Sequence, residues 1–241
     1  MRRVIGVLRH PRRTMADVVA RPTFAAAWVF LLAVLAVCAF ALLSTAVGRQ
    51  ALVDERVRVT EAFGGRVNDA AYAALQANPP LLVYLTSGGR LLLTPGITLL
   101  VAAGLITLAA LDGVKVRYGV ALAITVYASL VLGLQQVVAT PLHFVWESLT
   151  SPTNLGGLLP MLDEGSLPAR WLGSIDVFGL WWLWLLAVGL AAATGRPASL
   201  DDARDRPERS QRARRYFVRL LMAYLGVAAL VAAVFAVLGS Q

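Results

Sequence analysis

The chain is short of charged residues and of cysteine, and both shortages restrict what it can be. Only 15% of its 241 residues are charged, whereas a soluble domain carries roughly 25%. Because most of this charge lies between long apolar runs, we do not expect a water-soluble core. The single cysteine, Cys38, excludes an intramolecular disulfide and a cysteine-rich metal site. The common P-loop, nucleophile-elbow and metalloprotease motifs are also missing. We therefore expect no enzymatic activity, no cofactor and no bound metal.

What the chain has in abundance is apolar length. Hydrophobic residues make up 58% of the sequence, and a helix needs about 20 apolar residues to cross a bilayer. The predicted spans are residues 24–47, 91–111, 118–146, 174–194 and 217–238. The first run exceeds the roughly 7–15 apolar residues of a signal peptide, so we expect it to be retained. The sequence thus predicts an all-α, polytopic membrane protein, one domain over 1–241 with five transmembrane helices.

The distribution of arginine predicts the orientation of these spans. Fifteen lysines and arginines lie in residues 1–23, 112–117 and 195–216, but only six lie in 48–90 and 147–173. Basic loops are retained on the cytoplasmic side of a membrane. We therefore expect a cytoplasmic N-terminus, an extracytoplasmic C-terminus, a partly helical extracytoplasmic excursion at 48–90 and a basic cytoplasmic loop at 195–216.

The basic segments beside the first and fifth spans are candidate binding surfaces. Residues 4–20 combine apolar side chains with flanking arginines, which predicts a short amphipathic helix lying on the inner leaflet. The candidates for lipid or partner binding are Arg12, Arg13, Arg212, Arg214 and Arg215. Each basic side chain near an anionic leaflet contributes about 1 kcal/mol of attraction, although these arginines can equally serve only to set the topology. The expected partners are membrane lipids, other membrane proteins or a second copy of the chain, and not nucleic acid.

Polar residues recur along one face of the third predicted span. This polar stripe consists of Thr125, Ser129, Gln136, Thr140 and His143, with Gly133 on the same face. A polar face inside a bilayer must turn toward protein or water. Two interpretations follow. The favoured one is close interhelical packing, and the alternative is a polar path in a small transporter or permease subunit.

The fourth predicted span contains the one acidic residue expected inside the membrane. Asp176 is predicted about one turn into this helix, where it would either cap the helix or form a proton or cation site facing the polar stripe. The tryptophans of this span, Trp182 among them, are expected at the lipid or the interface. His143 has only Glu147 as a nearby ligand-type residue, so a metal site there is not favoured.

Short segments along most of the chain resemble the Yip family of Ypt/Rab-interacting membrane proteins and their bacterial relatives. The resembling segments are residues 10–14 (HPRRT), 20–22 (ARP), 127–130 (YASL), 174–182 (SIDVFGLWW) and 189–191 (GLA). The resemblance implies five spans, with the N-terminus in the cytoplasm and the C-terminus outside.

What the resemblance implies about function is modest. Eukaryotic members of the family are linked to prenylated Rab GTPases and vesicle traffic. The present chain lacks the DLYGP block of those members, so we do not expect it to bind a GTPase. Lys115 is the sole lysine among 22 basic residues, which suggests a bacterium with GC-rich DNA and hence the inner membrane. We expect a scaffold or adaptor that contacts lipids or other membrane proteins.

Overall fold

The described part of the chain is helical throughout. The structure is a computed structural model that describes residues 2–62, 65–77, 81–146, 153–154, 172–173, 175–195 and 202–238. Its helices are α1 (Arg2–Arg9), α2 (Pro11–Ala20), α3 (Ala25–Leu43), α4 (Ala46–Ala62), α5 (Asp69–Ala77), α6 (Leu81–Leu111), α7 (Tyr118–Trp146), α8 (Val177–Thr194) and α9 (Asp202–Leu238). These residues contain no strand beyond one isolated bridge between Asn154 and Asp176. The all-α prediction is therefore confirmed.

Four of the described helices can cross a membrane by length and composition. They are Ala25–Leu43, Leu93–Leu111, Tyr118–Val145 and Val177–Thr194. The predicted fifth span, 217–238, lies in α9, and its last part falls outside the residues whose side chains are described. The protein is thus a multi-pass membrane protein, and the count of five spans stays a prediction.

The N-terminal segment forms two helices where the sequence predicted one. The break falls at His10, whose φ of −137° and ψ of 60° are not helical, and Pro11 opens α2. Proline has no N–H group and restricts the residue before it, so a helix ends there, while its fixed φ suits the first position of the next helix. We refer to α1 and α2 as the N-terminal hairpin; its location on the leaflet stays a prediction.

The first span ends earlier than predicted because two hydroxyl side chains interrupt the helix. The Ser44 hydroxyl donates to the carbonyl oxygen of Ala41 at 3.0 Å, and the Thr45 hydroxyl donates to that of Leu42 at 2.9 Å. The Thr45 oxygen also accepts a hydrogen bond from the Gly48 N–H at 3.1 Å. Such side-chain bonds compete with the helical ladder and cap the next helix. As a result α3 ends at Leu43 and α4 begins at Ala46.

Two charged segments predicted as connectors are helical instead. α6 begins at Leu81 and continues through Arg90, ten residues before the predicted start of the second span. α9 begins at Asp202, so most of the predicted loop 195–216 is helix continuous with the fifth apolar run. Charge limits the stretch that can lie in lipid, but Arg, Glu and Gln are good helix formers and do not end a helix. The sequence also places Ser199 to cap a short helix in 195–216, and this residue lies outside the described residues.

The internal contacts divide the chain into two units. The first comprises Met1–Leu32, Thr94–Leu134 and Phe178–Tyr224, and the second comprises Ala33–Leu93, Gln135–Val177 and Leu225–Gln241. In the first unit the core is formed by buried residues 121–131 of α7 and 185–191 of α8, together with buried side chains of the N-terminal hairpin. α7 and α8 approach closely because α8 has a glycine at the contact. A Cβ atom at Gly189 would lie only 2.4 Å from Cγ2 of Ile124.

In the second unit α4 and α5 are joined by a network of polar side chains. The Tyr72 hydroxyl donates to Oδ1 of Asp54 at 2.5 Å and accepts from the Gln50 amide at 2.6 Å. The Gln76 amide donates to the Gln50 amide oxygen at 2.8 Å. The hydrogen bond to the Asp54 carboxylate raises the pKa of Tyr72, since ionisation would place two negative charges together. This part of the predicted excursion is therefore a helical pair.

Candidate functional site

Arg3 ties the N-terminal hairpin to the start of the first span. Its Nε atom donates to Oδ2 of Asp17 at 2.6 Å, while Nη1 donates to the carbonyl oxygen of Arg21 and to the hydroxyl of Thr23, both at 3.0 Å. The hydrogen bond to Asp17 raises the pKa of Arg3, and a bond to Tyr127 of α7 adds to the effect. The Asp17 carboxylate also lies 3.6 Å from the Arg21 guanidinium. The Asp17 carboxylate thus pairs with both Arg3 and Arg21.

The predicted arginines of α2 stand on the surface. Arg12 and Arg13 are both exposed, and among the described residues neither has an ion-pair partner. Their helix is anchored by Thr14, Met15 and Val18, which are buried. The hairpin therefore buries an apolar side and leaves its charge outside.

The predicted arginines of α9 divide into two kinds. Arg214 and Arg215 are exposed, whereas Arg212 is half-buried. Arg212 lies beside the end of α8, because a Cβ atom at Gly195 would be 2.9 Å from its Nη1. A cation at this position interacts favourably with the negative end of the helix dipole. Arg212 consequently has a structural role, while the other two remain available at the surface.

A second acid, Asp112, forms an ion pair with a residue near the middle of α9. Its carboxylate accepts a hydrogen bond from Arg219, at the edge of the fifth predicted span, at 2.8 Å. This bond lowers the pKa of Asp112, and a hydrogen bond from Tyr216 adds to the effect. Tyr216 is almost fully buried and also bonds Thr194 at the end of α8. These four residues, which we call the Asp112 cluster, join the α6–α7 turn to α8 and α9.

The part of the polar stripe in the first unit is used for packing. The Thr125 hydroxyl is fully buried and donates to the carbonyl oxygen of Ala121 in its own helix at 2.9 Å. Ser129 is buried, and its oxygen accepts a hydrogen bond from Nε1 of Trp182 at 3.2 Å. Trp182 is half-buried, and its indole N–H forms a bond between α8 and α7; its expected position at the lipid or the interface stays a prediction.

The rest of the polar stripe, Gln136, Thr140 and His143, lies in the second unit. Thr140 donates to the carbonyl oxygen of Gln136 at 2.7 Å, a bond within α7. Both side chains are half-buried, and His143 is buried. The stripe thus shares a helix, but its members do not meet at a single site.

Asp176 lies outside the fourth span, although the sequence placed it about one turn inside. α8 begins at Val177, so Asp176 is the residue before the helix. Its Oδ2 atom accepts a hydrogen bond from the Thr153 hydroxyl at 2.5 Å, and its backbone forms the bridge with Asn154. Because these partners come from the preceding segment, Asp176 holds that segment against the start of α8.

The described residues contain no group of three or more histidine, cysteine, aspartate or glutamate side chains able to hold a metal ion. Glu147, the predicted neighbour of His143, lies outside those residues.

Sequence reasoning missed Arg3 and the Asp112 cluster. A signal was present, because Asp17 is the one acid in residues 1–23 and Asp112 is the one acid in 112–117. A single acid among basic residues indicates a structural ion pair, and counting charges for topology overlooks it.

Several long apolar helices, with buried packing faces and arginine pairs at their ends, define an integral membrane protein of the multi-pass class. The family model of the Yip1 domain matches residues 5–200. The chain therefore belongs to the Yip1 domain family, as the resemblance predicted. Comparison with curated proteins and with solved structures finds no match.

Proposed function

We propose that the protein is a non-enzymatic membrane scaffold or adaptor whose arginine-rich side contacts lipids or other membrane proteins. The proposal rests on a difference among the charged residues: some form ion pairs within the protein, and others are exposed at its surface. Asp17 and Asp112 are held by Arg3 and Arg219, so they do not neutralise the arginines on the surface, such as Arg12 and Arg214. A surface with a net excess of arginine attracts anionic lipid headgroups or acidic protein segments.

The proposal includes a fifth span in α9 and a bacterial inner-membrane location. Large apolar side chains are exposed along this helix at Val218, Met222, Val227 and Leu230. Water would not favour such a row, whereas lipid would. With five spans, the arginine-rich N-terminus is cytoplasmic and the C-terminus extracytoplasmic.

The orientation can be tested with single cysteines, because Cys38 is the one native thiol. In a Cys38→Ala background, Ala73→Cys places a thiol on exposed α5 and Ser210→Cys places one on exposed α9. An impermeant maleimide added to intact cells should label position 73 and should label position 210 only after lysis. Labelling of both sites in intact cells would contradict the proposed orientation.

The binding role can be tested by photo-crosslinking in native membranes. A photoreactive amino acid at position 211 samples the exposed α9 arginines, and one at position 100 of α6 is a matched control, since Leu100 is 73% exposed but far from any charge cluster in sequence. Discrete adducts at 211 should disappear when Arg214 and Arg215 become glutamine and should persist when they become lysine. Adducts that ignore these changes, or no adduct at 211, would refute the proposal.

The transporter alternative gains no support from the described residues. Thr125 is fully buried and bonds within its own helix, and Ser129 is buried and bonds Trp182 of α8, which favours contact between helices over a polar path in this half of the stripe. Packing is therefore the interpretation we adopt.

A further inference from the structure

α1 has apolar side chains on two sides. Val7 is fully buried, whereas Ile5 is 54% and Leu8 is 38% exposed. Ile5 and Leu8 are three residues apart, so they are neighbours on the helix surface. An exposed apolar pair on a short helix indicates contact with lipid or protein.

The N-terminal hairpin also carries exposed positive charge. Arg9, Arg12 and Arg13 are exposed, and among the described residues none of the three has an ion-pair partner. Asp17, the one acid in residues 1–23, is held by Arg3. An anionic leaflet offers phosphate groups and acyl chains within one surface, which matches arginines bordering an apolar pair.

The hairpin cannot turn to hide these residues. A Cβ atom at Gly6 would lie 2.5 Å from Oγ1 of Thr14, so glycine lets α1 approach α2 closely. Met15 and Val18 of α2 are fully buried, and the hydrogen bonds of Arg3 tie the N-terminal end of α1 to Asp17 and Arg21. The exposed edge therefore has one orientation, set by its own packing.

We propose that the N-terminal hairpin embeds Ile5 and Leu8 in an anionic lipid leaflet, with Arg9, Arg12 and Arg13 on the headgroups. This inference rests on the proposed function and specifies its lipid contact. Each arginine near an anionic surface contributes about fivefold to the equilibrium. Removing all three should therefore weaken the docked state on the order of 100-fold.

The test uses the full-length protein in nanodiscs of phosphatidylcholine, with or without about one third phosphatidylglycerol. An environment-sensitive fluorophore is attached to Ile5→Cys or Leu8→Cys in the Cys38→Ala background. Leu100→Cys serves as the lipid-exposed control and Ala73→Cys as the water-exposed control. We expect the labels at 5 and 8 to be quenched by brominated lipid, as at 100, and more strongly with phosphatidylglycerol.

The triple variant R9Q/R12Q/R13Q should lose the dependence on phosphatidylglycerol while keeping the fluorescence of a label at 100. Quenching of positions 5 and 8 by aqueous iodide, to the same extent as position 73 in both lipids, would overturn the proposal. Shielding from both quenchers would overturn it as well, because a protein surface would then cover the pair. The crosslinking test at position 211 uses a site in α9 and not in α1. It therefore reports on the proposed function separately from the lipid contact of the N-terminal hairpin, and the failure of one can be distinguished from the failure of the other.

Discussion

Replacing Gly189 by alanine should force α7 and α8 apart. The added methyl group would lie 2.4 Å from Cγ2 and 3.2 Å from Cγ1 of Ile124, and ordinary contacts between carbon atoms begin near 3.5 Å. One helix must therefore move by about 1 Å. Ile124 is fully buried, and so are Leu185 and Leu190, which flank Gly189 in α8, so the side chain has little space into which to rotate.

The expected cost follows from overpacking. Inserting a methyl group into a well-packed core costs about 1–3 kcal/mol, and in lipid such packing is a main source of helix association. Ile124→Ala alone leaves a cavity and should cost about 2–5 kcal/mol by analogy with soluble cores. In the double variant the Gly189→Ala methyl occupies part of that cavity. We therefore expect the double variant to be about 1–3 kcal/mol more stable than the sum of the single effects.

The assay is reversible unfolding of the purified protein in mixed micelles with increasing dodecyl sulfate, followed by tryptophan fluorescence. Gly104→Ala is the matched control, because a Cβ atom there meets nothing within 4 Å. Alanine is the better helix former by about 1 kcal/mol, so this control should be neutral or stabilising. A Gly189→Ala variant as stable as the original, or strictly additive effects with Ile124→Ala, would refute the packing argument.

Three further outcomes are expected. Ser129→Ala removes the hydrogen bond from Trp182 and should lower the free energy of unfolding by about 0.6 kcal/mol in the same assay; no change would mean that the bond does not stabilise the fold. Asp112 has its pKa lowered by Arg219, so it stabilises the folded state above the usual aspartate pKa of about 3.9 and loses this contribution as the pH falls through its lower folded-state pKa. Asp112→Asn should therefore flatten the acid limb of the stability profile, and profiles that stay parallel would contradict the ion pair. Gln136→Cys in a cysteine-free background should resist a water-soluble maleimide, and rapid labelling in membranes would favour a water-filled path.

Much of the fold could be predicted from local sequence. The length of an uncharged run decides whether a helix can cross lipid, because every backbone polar group there must be bonded within the helix. α7 accordingly covers the same residues as the predicted third span. Helix ends were predicted less well. Ser44 and Thr45 end α3 through their own side-chain bonds, and charge at Arg90 was mistaken for the end of a helix.

The candidate site was predicted as a set of arginines for binding and a set of polar residues inside the membrane, and the distribution of charge along the chain did not distinguish the exposed Arg214 from the half-buried Arg212. Apolar length, charge distribution and short family segments are properties of the chain read in order, so the sequence alone determined the membrane class and the Yip1 family. Only the tertiary structure decided which charged residues form ion pairs. Arg219 and Asp112 are 107 residues apart in the sequence but form a hydrogen bond, because the α6–α7 turn lies against the middle of α9. Which side chains meet across such distances depends on how the helices pack. The spacing of residues within a single segment cannot predict these contacts.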